Sequence, residues 1–318
     1  MNFKILSNVS LKDFCTFKIG GSAKFLCIAD NINTLIKLCK YCKSHNIKYK
    51  IIGLGANLLF DDLGFDGMII VNKTNKILFE QGSQRSKQSA SNGITEATNL
   101  GLCLQEQTSK SAVAYVDSGA NVTSLIMQCY HRSLSGIENL AGIPSTVGGA
   151  VVNSLGAFDT NFSDYVEYVE CYHKDNLNKK LILSNQQCQF DYRSSLFKNG
   201  DYIITKVKLK LKTDDKTLIQ KRIQEAIDKK RSNQPLDLPS AGSVFKRGNI
   251  IPAKAIDELG LKGTKIGGAE ISTKHAGFIV NNTNATSENV KQLISLIQEK
   301  VKTIYNEDLQ PEIEFVEY

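Results

Sequence analysis

Ser243 sits in the run Pro239-Ser240-Ala241-Gly242-Ser243-Val244-Phe245-Lys246-Arg247, a hydroxyl set between glycine and a hydrophobic pair and followed by two cations. Small residues at 240 to 243 let the backbone turn tightly and approach a ligand. Val244 and Phe245 can anchor that turn in a core, and Lys246 and Arg247 can meet an anion. Taken alone, these residues fit a glycine-containing loop entering a strand, with serine as turn filler, better than a catalytic role. Three short turns, Ile19-Gly20-Gly21-Ser22, Gly53-Leu54-Gly55-Ala56-Asn57 and Thr146-Val147-Gly148-Gly149, offer backbone N–H groups that could hold a pyrophosphate without a P-loop. None is a dinucleotide fingerprint with its acidic residue ~20 positions on. Arg193, after Tyr192 and before two serines, can grip a carboxylate through its planar fork, although such a cation is by default a surface group at a strand end. Glu312 lies near the C-terminus, where a solvated carboxylate is the default. His275 reads as structural, and His45, His131 and His173 lack partners at metal spacing, so no metal is assigned.

These residues need elements to position them, and the pattern is that of an α+β protein. A first unit, residues 1–73, reads as a strand at 25–28, a helix at 34–44, a strand at 48–52, the Gly53/Gly55 turn and a strand at 68–71. A second, 74–213, alternates near 76–80, 102–106 and 112–117, has a helix marked by Val122, Leu125, Ile126 and Cys129, and ends in half-buried antiparallel ribbons at 165–172 and 202–211. Within it, the polar stretch of about 81–99 reads as an exposed or disordered loop. The third, 214–318, opens on a helix at about 217–231 capped by Asp214 or Asp215. It continues with a helix between Pro252 and Gly260, a core strand at 275–281 and a last helix from Glu288 with Ser287 as N-cap.

Composition bounds the function. A chain of 318 residues suggests two or three domains, and 42% hydrophobic with 22% charged residues is ordinary for a soluble globular protein. No apolar run approaches the ~20 residues of a membrane span, and the first residues make a poor secretory signal, so a cytoplasmic protein is expected. The net charge of +7 comes from dispersed Lys and Arg, which argues against nucleic acid and leaves a few cations for a phosphorylated ligand. Of the eight cysteines, Cys39 and Cys42 fall on the apolar stripe of the first helix and the others are scattered, as for reduced thiols.

Ser240-Ala241-Gly242-Ser243-Val244-Phe245-Lys246 resembles the serine motif of the UDP-N-acetylenolpyruvoylglucosamine reductase family. Thr16 to Gly21, Ile52 to Leu59 and Gly142 to Ala150 resemble its flavin-binding stretches. Asp191 to Phe197 resembles its arginine motif, and Lys274 to Asn281 with Pro311-Glu312-Ile313 completes the order. The resemblance implies a three-domain flavoprotein. Its two-part FAD-binding region would be of the vanillyl-alcohol-oxidase/PCMH type, and its C-terminal α+β domain would bind substrate and return its last segment to the cleft. It implies FAD and NADPH as cofactors and a UDP-sugar as substrate. Hydride would pass from flavin N5 to the enolpyruvyl β-carbon, with Ser243 protonating the α-carbon and Arg193 and Glu312 completing the catalytic set. Ile19, Gly20, Gly21, Gly53, Gly55, Ala56, Asn57, Leu58, Thr146, Val147, Gly148 and Gly149 would hold FAD. Tyr192, Lys246 and Arg247 would bind substrate. The chain lacks the tyrosine-bearing lid of one subgroup and so resembles the shorter one. Ala56 and Ser145 stand where the family has serine and glycine, and Ser154 and Asp159 where it has asparagine and glycine. Another FAD oxidoreductase of this fold, or a non-catalytic nucleotide-binding relative, is the alternative. The oligomeric state is left open, with a monomer slightly favoured.

Overall fold

The structure, a computed structural model, describes residues 3–81 and 111–318. The polar segment beyond Gln81, the alternation at 102–106 and Cys103 lie outside the described residues.

The first sheet has the order Leu6–Ser10, Ser22–Ala29, Phe65–Asn72, Tyr49–Ile52. Its first pair is antiparallel and the others parallel, so a crossover is required, and the helix Ile32–Ser44, capped by the Asn31 side chain, supplies it. Alternation then divides the sheet between two cores. Leu26, Ile69 and Val71 face one, while Cys27, Met68 and Ile70 face the helix residues Leu35, Leu38, Cys39 and Cys42. Burial pushes the Cys39 thiol up to about 12 and Cys42 to about 11, which makes both inert core residues.

The second sheet is antiparallel, ordered Asn176–Ser184, Val166–His173, Tyr202–Thr213, Ser111–Asp117, Ile77–Gln81. Along Tyr202–Thr213, Val207, Leu209 and Leu211 are buried and the intervening lysines point outward. The inner face packs on the helices Val122–His131, Val147–Val152 and Lys216–Asn233. That last helix was expected to open the third unit. Its Ile219 and Ile223 instead join the core of the second, because its apolar stripe faces Leu134, Ile137 and Leu140 rather than the C-terminal sheet. Asp215 caps it, and Asp214 pairs with Arg222.

The third sheet, Ser240–Ser243, Phe278–Asn281, Ala269–Ile271, Lys265–Ile266, packs on the helices Pro252–Glu258 and Ser287–Tyr305. Its Val244, Phe245, Ile279 and Leu293 share one core with Phe17, Leu59 and Ile69 of the first unit. The terminal strand Glu314–Val316 lies parallel to Leu58–Phe60 and tightens this union. The N-cap of the last helix is Thr286, whose side chain accepts from Asn289 N–H, and not Ser287. Ser287 is buried and bound to Asp62, whose carboxylate also accepts the backbone N–H groups of Ser287 (2.8 Å) and Glu288 (3.1 Å). A carboxylate from the first unit thus caps a helix of the third.

Candidate active site

Residues of all three units wall a cleft of about 1400 Å³, and a second chamber of about 750 Å³ adjoins it. Arg193, Ser243, Arg247 and Glu312 line both. Ser243 ends the strand Ser240–Ser243, where pairing slips from Ser240↔Val280 to Ser243↔Phe278. The slip is a bulge made possible by Gly242 at φ +84°, and it turns the next side chain out of the sheet. Ser243 is exposed, and its hydroxyl makes no hydrogen bond among the described residues, while Val244 and Phe245 behind it are buried as the sequence reading requires.

Arg193 occupies the third position of the turn Asp191–Ser194, with φ +52°, a conformation that such turns reserve for glycine or asparagine. The strained backbone aims its guanidinium at the cleft. Its Nη2 donates to Gly156 O (2.9 Å) and Nη1 to Ser154 O (3.4 Å). Nε lies 2.8 Å from Glu312 Oε1 but its N–H does not point along that line, so the contact is an ion pair and Nε is a buried donor without a hydrogen-bond partner among the described residues. Glu312 is held by its backbone, donating to Val244 O (2.7 Å) and accepting from Asn57 Nδ2 (3.0 Å). Burial raises the Glu312 pKa, against the lowering pull of Arg193, Lys198 and Lys246. Tyr192 is exposed and its hydroxyl accepts from Arg247 N–H (3.2 Å). Arg247 stands at the mouth, whereas Lys246 is half-buried with its N–H on Gln310 O and is not on the cleft wall.

The three glycine segments differ in kind. In the second, the N–H groups of Leu54, Gly55, Ala56 and Asn57 have no partner among the described residues and lie on the cleft wall, a cradle for an anion. Gly53 is required by close approach, since a Cβ there would strike Thr146. Leu58 also borders the cleft while pairing with Glu314. The third segment is not a turn but the start of the helix Val147–Val152. Its N–H groups are already engaged: Val147 with Ala120 O, Gly148 with Ser118 O, Gly149 with the Thr146 hydroxyl. Thr146, Gly148 and Gly149 shape the wall, and Val147 is buried beneath it. Ile19, Gly20 and Gly21 do not reach the cleft: Ile19 is a core side chain, and the absence of a Cβ at Gly20 and Gly21 allows close packing against Phe60 and the backbone of Asp62 to Gly64. The cleft thus fits FAD, with free amides at 54–57 and a surplus of cations.

Five cations of the cleft wall, Lys48, Lys50, Lys174, Lys198 and Lys230, escaped the sequence reading. Lys230 continues the buried stripe of Ile219, Ile223 and Ala226, so its periodicity was a usable signal. It is 3% exposed, donates to Ala141 O (2.7 Å), and burial lowers its pKa to about 8. Lys198, in the short 3-10 helix Leu196–Asn199, donates to Asn153 Oδ1 (2.5 Å), and no periodicity marks it. Among the described residues no cluster of three potential metal ligands occurs, and no helix is long and apolar enough to cross a membrane.

Residues 23–176 match a family profile described as an FAD binding domain, and residues 234–316 match the C-terminal domain of UDP-N-acetylenolpyruvoylglucosamine reductase. A protein of that name from Caldanaerobacter subterraneus subsp. tengcongensis is 35% identical over 98% of this chain and 94% of its own length. One from Thermotoga maritima is 36% identical over 94% of each. The crystal structure of UDP-N-acetylenolpyruvylglucosamine reductase from Thermus caldophilus covers 99% of both chains with a TM-score of 0.74 at 29% identity. With this α+β, PCMH-type FAD fold, the chain belongs to the UDP-N-acetylenolpyruvoylglucosamine reductase family of FAD-dependent oxidoreductases.

Proposed function

We propose that the protein reduces UDP-N-acetyl-3-O-(1-carboxyvinyl)-glucosamine to UDP-N-acetylmuramate in the cytoplasm, for peptidoglycan precursor synthesis, using NADPH through FAD. The observation that carries this reading is the convergence of Ser243, Arg193 and Glu312, far apart in sequence, on one cleft, with the serine hydroxyl exposed and unbonded. When bound, FAD would supply the hydride chemistry, relaying hydride from NADPH to the enolpyruvyl β-carbon. The amides of Leu54 to Asn57 would hold its pyrophosphate. Charge that develops on the substrate's α-carbon and carboxylate is met by the cations of the cleft, whose geometry is fixed before substrate arrives. The Ser243 O–H bond breaks as the α-carbon gains its hydrogen, and solvent returns the proton to the oxygen. Glu312 balances Arg193, so that the guanidinium stays oriented without drawing a foreign anion.

The purified protein is expected to be yellow. Anaerobic NADPH should bleach the flavin bands, and the enolpyruvyl UDP-sugar should restore them. Colourless protein that FAD does not reconstitute would refute the reading, and so would reduced enzyme that the UDP-sugar leaves bleached.

A further inference from the structure

Asn57 enters the cleft wall twice. Its backbone N–H belongs to the cradle of amides at 54–57, while its side chain leaves the cradle for the C-terminal segment, where Nδ2 donates to Glu312 O (3.0 Å). A carboxamide that meets a carbonyl oxygen must present its nitrogen, so the end of this side chain has one orientation. Asn57 O also accepts from Glu314 N–H (2.9 Å), and the residue therefore grips the segment on both sides of Ile313. From the opposite side Glu312 N–H donates to Val244 O (2.7 Å), Lys246 N–H donates to Gln310 O (2.9 Å), and Phe245 pairs with Pro311. Glu312 belongs to no helix or strand, and its carbonyl has no other partner among the described residues. Its backbone is thus strung between the cradle and the residue that follows Ser243, and the carboxylate that faces Arg193 Nε at 2.8 Å hangs from that backbone.

We propose that Asn57 is the positioning residue for Glu312: its carboxamide fixes the peptide that carries the carboxylate, and through that carboxylate sets how Arg193 is held toward the substrate beside Ser243. This rests on the reading of the reaction given above. In this role Asn57 touches no reacting atom and acts only through Glu312. Leu309 and Ile313 are buried and anchor the segment on either side. Loss of the carboxamide therefore leaves the segment in place but lets the peptide at Glu312 turn toward water, because a carbonyl stripped of its donor seeks another.

The test uses holoenzyme. Asn57→Ala keeps all four cradle amides, which are backbone groups, and is expected to keep its flavin content and Tm. In stopped flow, reduction by NADPH should match wild type, while reoxidation by the enolpyruvyl UDP-sugar slows about 10-fold, the size of one neutral hydrogen bond. Hydrogen exchange should quicken at the Glu312 amide by a similar factor and stay unchanged at those of Phe278–Asn281. Equal slowing of both half-reactions would overturn the assignment, since a residue serving only the cofactor gives that result, and so would unchanged exchange at Glu312. If Asn57→Ala does not fold or loses its flavin, wild-type holoenzyme decides: its Glu312 amide should exchange as slowly as those of Phe278–Asn281, and exchange at the rate of an exposed loop would overturn the proposal. Failure of the functional reading would show separately, as wild-type reduced flavin that the UDP-sugar does not reoxidise.

Discussion

Ser243→Ala removes a hydroxyl that makes no hydrogen bond among the described residues, so it separates a proton donor from a turn residue cleanly. Folding, flavin content and reduction by NADPH should match wild type, because none of them needs that proton. Reoxidation by substrate in stopped flow should slow by at least ~10², and Ser243→Cys should recover part of the loss. Near-normal reoxidation of the alanine variant would move the acid to Glu312 or to water. His275 offers a pH signature of another kind. Its Nδ1 accepts from Gly277 N–H (3.1 Å), and burial lowers its pKa below 6.5. The unfolded chain therefore binds the proton first, so the stability at stake is present above about pH 6.5 and is lost as pH falls through the lower folded value. Thermal melts from about pH 8 to about pH 5 should decline less in His275→Asn than in wild type; parallel declines would show that the ring is not the group responsible.

At the scale of elements, the hairpin under Arg193 carries avoidable strain. Gly156–Ala157 and Thr160–Asn161 are joined by Phe158 (φ +50°) and Asp159 (φ +58°), a two-residue turn that wants glycine or asparagine. The family's glycine at 159 has this physical reason. Asp159→Gly should raise stability by about 1 kcal/mol, seen as a rise of about 2 °C in Tm. No rise would mean that the left-handed backbone costs nothing here. The reverse holds at the last helix. Asp62→Ala removes a carboxylate that accepts from two backbone N–H groups and the Ser287 hydroxyl, and should cost about 1–2 kcal/mol in denaturant titration. A change below a few tenths would show that Thr286 caps the helix alone.

Across the whole molecule, three main sheets make three cores, one shared by the first and third units, one belonging to the second and one under the helix Ile32–Ser44, and residues of all three units wall the cleft. A ligand held in that cleft couples them. Calorimetry of FAD-free protein should show separate transitions that draw together and rise when FAD is restored. A single transition in both forms would show that the cores unfold as one without help. The sequence by itself determined the regular elements, because period-2 and period-3.6 burial is written locally. The helix at Leu35 to Cys42, the alternating lysines of Tyr202–Thr213 and the apolar anchor behind Ser243 were all legible in this way. Arg193 and Glu312 were legible only by resemblance, since nothing local distinguishes them from solvated charges. Tertiary structure alone decided the rest. Partners for backbone amides and side-chain charges come from distant segments: Ala120 and Ser118 engage the amides of Val147 and Gly148, Phe60 fills the space at Gly20, and Glu312 neutralises Arg193. Among the described residues Lys198 has no ion-pair partner, since folding brings Lys50 to Glu314 and Arg193 to Glu312, and a charge left over from such pairing cannot be counted until every partner is in place.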